Sequence, residues 1–415
     1  MGARGLSANF QGMVHHMFII GIDIAKRSHA VSVITSEGQT VCKPFSIRNS
    51  CSGYNALLER LRKLSNHKSE FIFAMESTAH YWLPLYTRLR KDGWQVVVLN
   101  PIQTHAMREM FIRETKTDAI DALLIAEVIR FGRYKPSSVP QEELLALREL
   151  CRNRFYLMDL ASDLKRKITA LLDQVFPEFE TQFDSIFCKS GIAVLKQYTT
   201  PEKLSRAQTG KLADILRAAS NGRFGEWKAR ELRELARGSF GVPDCEGVYS
   251  MLILTYLEQL QSLLNRAASL EQRMGEIFSQ FHSPLTSIAG IGPVLGAVIL
   301  SEIRDISCFA SANKLAAYAG VDPRVKQSGE MKLGGVHMSK RGSPYLRRAV
   351  WQASTVAVQH DPMFRAYYEK KAAEGMRYMN IIGHVTRKMI AVIFAVMRDN
   401  KSYEPVLPAA VCTHS

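Results

Sequence analysis

Phe18-Ile19-Ile20-Gly21-Ile22-Asp23-Ile24-Ala25-Lys26 is the stretch from which the fold can be read. A short apolar run this rich in isoleucine reads as a buried central strand. An ionised group taken out of water must be paired or must hold a metal. Asp23 is therefore the first candidate functional residue, its plain alternative being a strand-end carboxylate that caps a turn. Arg27-Ser28-His29 leads into a second strand, Ala30-Val31-Ser32-Val33-Ile34-Thr35, which sets Asp23 beside a hairpin.

Outward from that hairpin, strands and helices alternate. Val41-Cys42-Lys43-Pro44-Phe45-Ser46-Ile47 reads as an edge strand, where a proline is tolerated. Leu57, Leu58, Leu61 and Leu64 fall at helical spacing. Phe71-Ile72-Phe73-Ala74-Met75-Glu76 is another buried strand with Glu76 at its end, and Ser77-Thr78 is placed to cap a helix bearing Tyr81, Trp82, Leu85 and Leu89. A strand over 94–99 and a helix over 118–130 complete the pattern of an α/β domain around a mixed sheet, residues 17–135.

Pro136 and Pro140 mark the first boundary. A long helical pattern over 142–176 and another over 251–278 suggest an antiparallel, coiled-coil-like arm within residues 141–280, either a dimerisation stalk or a plain spacer. The insert at 178–248 shows no assignable chemistry. Residues 281–399 read as a mostly helical domain. It opens with a helix, a glycine turn (Gly290, Gly292) and a helix, and it surrounds a polar, glycine-rich loop over 328–342. Residues 1–16 and 400–415 read as disordered extensions.

With a formal charge of +15 and a pI near 9.5, the 415-residue chain is expected to meet a polyanion such as DNA or RNA. No apolar run reaches membrane-spanning length and no hydrophobic signal core precedes Phe18, so a cytoplasmic protein is expected. The seven scattered cysteines form no C-x-x-C pair and indicate neither zinc nor a disulfide framework.

Three more acids join Asp23: Glu76 at a strand end, and Asp118 with Asp121 in Lys116-Thr117-Asp118-Ala119-Ile120-Asp121-Ala122. Asp118 and Asp121 share a helix face. Together the acids would repel unless a hard divalent cation lay between them, and Mg²⁺ is the natural choice where phosphate is the other ligand. Singly, Asp118 could be a helix N-cap and Asp121 a first-turn carboxylate. Gly290 and Gly292 would let backbone N–H groups approach a phosphate. Arg324, Lys326, Lys340, Arg341, Arg347 and Arg348 form a basic stretch suited to the same partner. Ser328, Ser339 and Ser343 lie within it, and no local rule selects one of them as a nucleophile.

These motifs resemble a known family in both halves. Gly-Ile-Asp-Ile-Ala-Lys at 21–26, Met-Glu-Ser-Thr at 75–78 and Lys-Thr-Asp-Ala-Ile-Asp-Ala at 116–122 are similar to the N-terminal DEDD domain of bacterial insertion-sequence transposases. That family includes Piv-type invertases and bridge-RNA-guided recombinases. Ile288-Ala289-Gly290-Ile291-Gly292, Leu315 to Pro323, Gln327-Ser328-Gly329 and Met338 to Arg348 resemble its C-terminal transposase domain, in the same order.

The resemblance implies a ribonuclease-H-like (RuvC-like) first domain holding Mg²⁺ on Asp23, Glu76, Asp118 and Asp121. It implies that Ser328 attacks DNA to form a phosphoserine link, the serine of one copy completing the acid site of another. A dimer pairing into a tetramer, donor and target DNA, and a non-coding guide RNA are the expected partners. A Holliday-junction-type nuclease using water, or a basic nucleic-acid-binding protein without catalysis, are the alternatives. The absence of a P-loop pattern disfavours a kinase-like enzyme.

Overall fold

The computed structural model describes residues 17–77, 80–99, 104, 117–132, 134, 142–322, 327–328, 331–332 and 338–405. The chain forms two compact units, Met1–Val139 and Pro140–Ser415.

In the first unit, β1 (Phe18–Asp23), β2 (Ser28–Thr35), β3 (Phe45–Arg48), β4 (Phe71–Glu76) and β5 (Gln95–Leu99) form one sheet in the order β3-β2-β1-β4-β5. The first three pair antiparallel, while β1, β4 and β5 run parallel. This is the ribonuclease-H-like arrangement, and it explains the isoleucine-rich run. β1 is flanked by strands on both sides and covered on both faces, so it reads apolar throughout rather than alternating.

Ile20, Ile22, Phe73 and Met75 face α1 (Cys51–Arg62) and α2 (Leu83–Lys91), meeting Leu57, Leu61, Leu85 and Leu89. Ile19, Ile72 and Ala74 face the other way, against Leu124, Ile125 and Ala126 of α3 (Asp118–Arg130). Ser77 does not cap α2. It turns back on β5, its hydroxyl donating to the Leu99 carbonyl at 3.1 Å, and α2 has no side-chain cap.

Gly21 sets how closely α3 lies on the sheet. A Cβ there would stand 2.0 Å from the Ala122 carbonyl oxygen and 2.9 Å from the Ala126 Cβ. Both neighbours belong to a helix that cannot yield locally. Gly21→Ala is expected to destabilise the first unit by about 3 kcal/mol, the upper end of the overpacking range. The opposite sign is expected for Gly275→Ala in α9 (Val248–Ser279), where an added Cβ meets nothing within 4 Å. The gain there is about 1 kcal/mol. Urea unfolding midpoints of the two variants test both.

The second unit is built on α4 (Glu142–Val175) and α9, which lie antiparallel. Leu144, Leu147, Cys151 and Phe155 pack with Met274, Ile277 and Phe278, while Ile168, Leu172 and Val175 share a core with Ile253, Leu257 and Leu260. An Arg154–Glu271 ion pair at 2.7 Å ties the two helices near one end. At the other end the insert folds into α5 (Lys189–Gln197), α6 (Pro201–Ser205), α7 (Thr209–Ala219) and α8 (Glu226–Arg237), gathered on Phe176 and Phe179.

The rest comprises α10 (Pro293–Ile303), α11 (Ala312–Ala319), the hairpin β6 (Gln327–Ser328) with β7 (Met331–Lys332), α12 (Pro344–His360), α13 (Pro362–Ala373) and α14 (Tyr378–Asp399).

Three expectations change here. The helix anticipated before the glycine turn is a single 3₁₀ turn, Pro284–Ser287. By length and composition α14 could cross a membrane, although no continuous run predicted it. Its Ile382, Val385, Met389 and Ile393 are buried in the core of this unit. The anticipated disordered tail is ordered at its start, where the Tyr403 amide donates to Ser287 Oγ at 2.8 Å and its ring lies 6.4 Å from Phe364. Residues 1–16 and 406–415 lie outside the described residues.

Candidate active site

Strand register brings the first two acids together. The parallel pairing of β1 and β4 runs to Ile22↔Met75, so Asp23 and Glu76 are the next residues on neighbouring strands. Such strands lie about 4.8 Å apart. Side chains alternate along a strand. Ile20 and Ile22 point to α1 and α2, so Asp23 points with Ile19 and Gly21 toward α3. Likewise Glu76 points with Ile72 and Ala74 to that face.

The helix brings the other two. Arg130, at the C-terminus of α3, lies by Gly38 in the turn after β2, 3.2 Å from where a Gly38 Cβ would stand. Thr35, just before that turn, pairs with Phe18 at the start of β1. Thus α3 runs against β1, and its first turn, with Asp118 and Asp121, lies over the strand ends that carry Asp23 and Glu76. Thr117, not Asp118, caps this helix, its Oγ1 accepting from the Ile120 amide at 3.3 Å. The capping alternative for Asp118 is thereby removed.

All four acids are on one face and one rim of the sheet. Their carboxylates do not close into a cage: among the described residues no three His, Cys, Asp or Glu side chains are placed to hold a single metal ion. Glu76 Oε1 accepts the Thr104 hydroxyl at 3.1 Å, a partner that no sequence pattern indicated. The donor set, all carboxylate oxygen, is the kind a hard cation such as Mg²⁺ takes. Behind Asp23, the buried His29 shapes the turn by accepting the Ala25 amide on Nδ1 at 3.3 Å. Burial lowers the pKa of its imidazole, which favours the neutral form.

In the second unit Ser328 sits in the small hairpin, opposite Met331. The two other candidate serines are engaged. Ser339 Oγ bonds to Asp322 Oδ1, and Ser343 Oγ donates to Glu302 Oε2 at 2.8 Å while capping α12. Of the basic residues, Arg347 donates to the Ala319 carbonyl at 3.1 Å and Arg348 pairs with Asp159 at 2.8 Å. Both are spent on internal contacts. Lys340 and Arg341 are exposed, whereas Arg324 and Lys326 lie outside the described residues. Gly290, at φ +86°, lets α12 approach, since a Cβ would fall 2.3 Å from the Ala353 carbonyl oxygen. An added Cβ at Gly292 meets nothing within 4 Å.

Sequence reading missed Glu302, which is 1% exposed. It accepts from Arg152 Nε at 2.8 Å and from Arg148 Nε at 3.3 Å. Burial pushes its pKa up, but the Arg152 hydrogen bond and the Arg148 and Arg152 charges outweigh this and hold it below the usual carboxylate range. Nothing in an apolar helix pattern distinguishes such a residue from an exposed one.

A family model described as a DEDD transposase matches residues 20–177, and a second, for the transposase IS116/IS110/IS902 family, matches residues 282–369. The 44.8 kDa protein of insertion element IS116 from Streptomyces clavuligerus is 27% identical, covering 95% of this chain and 98% of that one. The pilin gene-inverting protein of Moraxella lacunata is 26% identical, covering 93% of this chain and 97% of the relative. T. thermophilus RuvC in complex with Holliday junction substrate aligns with 29% of this chain and 100% of that chain, at 16% identity and a TM-score of 0.22.

Both matched models describe transposases, enzymes that cut and rejoin DNA, and together they take in more than half of the chain. The chain belongs to the IS116/IS110/IS902 family.

Proposed function

We propose that this transposase is a Mg²⁺-dependent, RNA-guided recombinase that moves or inverts DNA through a phosphoserine intermediate. The observation that carries the reading is the placement of Asp23, Glu76, Asp118 and Asp121 on one face and rim of the first unit. These four residues would hold the metal, which when bound supplies charge stabilisation at the reacting phosphate.

Ser328 Oγ attacks phosphorus. A serine–phosphate ester forms, one phosphodiester P–O bond breaks, and the departing DNA oxygen takes up a proton as a free hydroxyl end. Attack by a hydroxyl from another strand reverses the step and frees the serine, so the ester exchanges without an outside energy source. The engagement of Ser339 and Ser343 with Asp322 and Glu302 supports Ser328 as the nucleophile.

The serine of one copy serves the acids of another, in a dimer that pairs into a tetramer. The charge of +15 suits a chain that handles donor DNA, target DNA and a guide RNA together, in the bacterial cytoplasm. Exposed Lys340 and Arg341, with Arg324 and Lys326, are the proposed phosphate contacts; Gly292 remains a backbone candidate.

The test is incubation with DNA carrying the element's ends, read on a denaturing gel. A protein–DNA adduct that forms in Mg²⁺ and is absent in EDTA is expected. Cut ends without adduct would instead favour a water-using nuclease, and uncut bound DNA a binding protein. Nucleic acid that co-purifies with the protein is expected to be sensitive to ribonuclease and to map to the flanks of the element. RNA-free protein of full activity would overturn the guide.

A further inference from the structure

We propose that Glu302 is a positioning residue for strand transfer, fixing the foot of the Ser328 segment to the arm helix α4. This rests on the reading of Ser328 as nucleophile. The described stretches on either side of residues 323–337 are clipped together beside Glu302. The Ser339 amide donates to the Asp322 carbonyl at 2.9 Å, Lys340 to Gly320 at 3.0 Å, and Ser343 to Tyr318 at 2.8 Å. Glu302 holds that clip from below. Its carboxylate accepts the Ser343 hydroxyl at 2.8 Å, and its own carbonyl accepts the Tyr318 hydroxyl at 3.1 Å. Arg152 bridges the carboxylate to α4 through Nε at 2.8 Å and Nη2 at 3.2 Å, and its guanidinium lies 4.7 Å from the centre of the Tyr345 ring.

Two features set this cluster apart from ordinary core. A buried ion pair can often be exchanged for apolar residues of like volume without loss of stability, so stability alone does not account for it. Charge is also unbalanced. Arg148 and Arg152 both pair with this one carboxylate, and two residues on, Arg304 Nε is buried without a hydrogen-bond partner among the described residues, while Arg304 holds φ at +64°. Backbone strain in a non-glycine residue of this kind collects at functional sites.

The triple variant Arg148→Met/Arg152→Met/Glu302→Met removes the carboxylate together with both arginines that bond it, so no member of the group is stranded. It is expected to unfold at or above the parent temperature and to bind DNA within about twofold of the parent. Its rate of adduct formation at saturating DNA is expected to fall at least ~10-fold, a loss of ~1.4 kcal/mol in transition-state stabilisation. Amide hydrogen exchange at Ser339, Lys340 and Ser343 is expected to speed up, a readout independent of activity. Parent-like adduct formation, or parent-like exchange at those amides, would overturn the proposal. If the parent forms no adduct, or Ser328→Ala retains it, the nucleophile assignment fails instead, and exchange alone then decides whether Glu302 holds the segment.

Discussion

Replacing Asp23 by asparagine is expected to lower the rate of DNA strand cleavage by about 10³-fold, with the fold intact. Asparagine keeps the size of the side chain and one oxygen but removes the charge. The charge stabilisation a metal supplies to a reacting phosphate is worth several kcal/mol, and each ~1.4 kcal/mol is tenfold in rate. Structure should survive because Asp23 ends β1, where the last ladder pair is made by backbone groups to Ala30. Cleavage rate against Mg²⁺ concentration, with a thermal melt in parallel, provides the measurement. Full activity in a normally folded Asp23→Asn protein would remove the acid from the metal site and with it the basis of the proposed chemistry.

Ser328→Ala is expected to abolish the covalent adduct and strand exchange while leaving DNA binding in place. A serine hydroxyl has no substitute in alanine, and its activation depends on what surrounds it. The sequence supplies a sharp readout. Trypsin cuts after Lys326 and Lys332, releasing Gln327–Lys332, in which Ser328 is the only serine. Ser339 and Ser343 fall in other peptides, so the mass of a nucleotide-bearing peptide identifies the nucleophile directly. A modified peptide containing Ser339 or Ser343 would reassign the role.

Much of the first unit was legible because local and global signals agree there. The isoleucine run of β1 and the acids at the ends of β4 and the start of α3 occur where register and helix direction place them together. The partners of those residues were not legible. Thr117 taking the cap from Asp118, and Thr104 reaching Glu76, are contacts the motif spacing did not settle. Gly21 carries a signal of its own: an isolated glycine inside a strand marks a close backbone approach, and here α3 is what approaches.

In the second unit, periodicity revealed the two long helices and, to within one residue, both ends of α4, but not the start of α9. α9 begins at Val248, three residues before the apolar pattern suggested, because Asp244 accepts the Tyr249 amide at 2.9 Å. The basic stretch misled in part, since charge count does not tell a guanidinium facing solvent from one that, like Arg347 or Arg348, braces its own fold.

The 34 residues of α4 have a consequence for reach. At about 1.5 Å per residue that helix runs roughly 50 Å, comparable to fifteen base-pair steps of duplex at about 3.4 Å each. From Arg152, which bonds Glu302, to Val175, where the small helical bundle gathers, the same rod runs roughly 35 Å, about one turn of a double helix, a separation fixed by one continuous element rather than by a chain of joints.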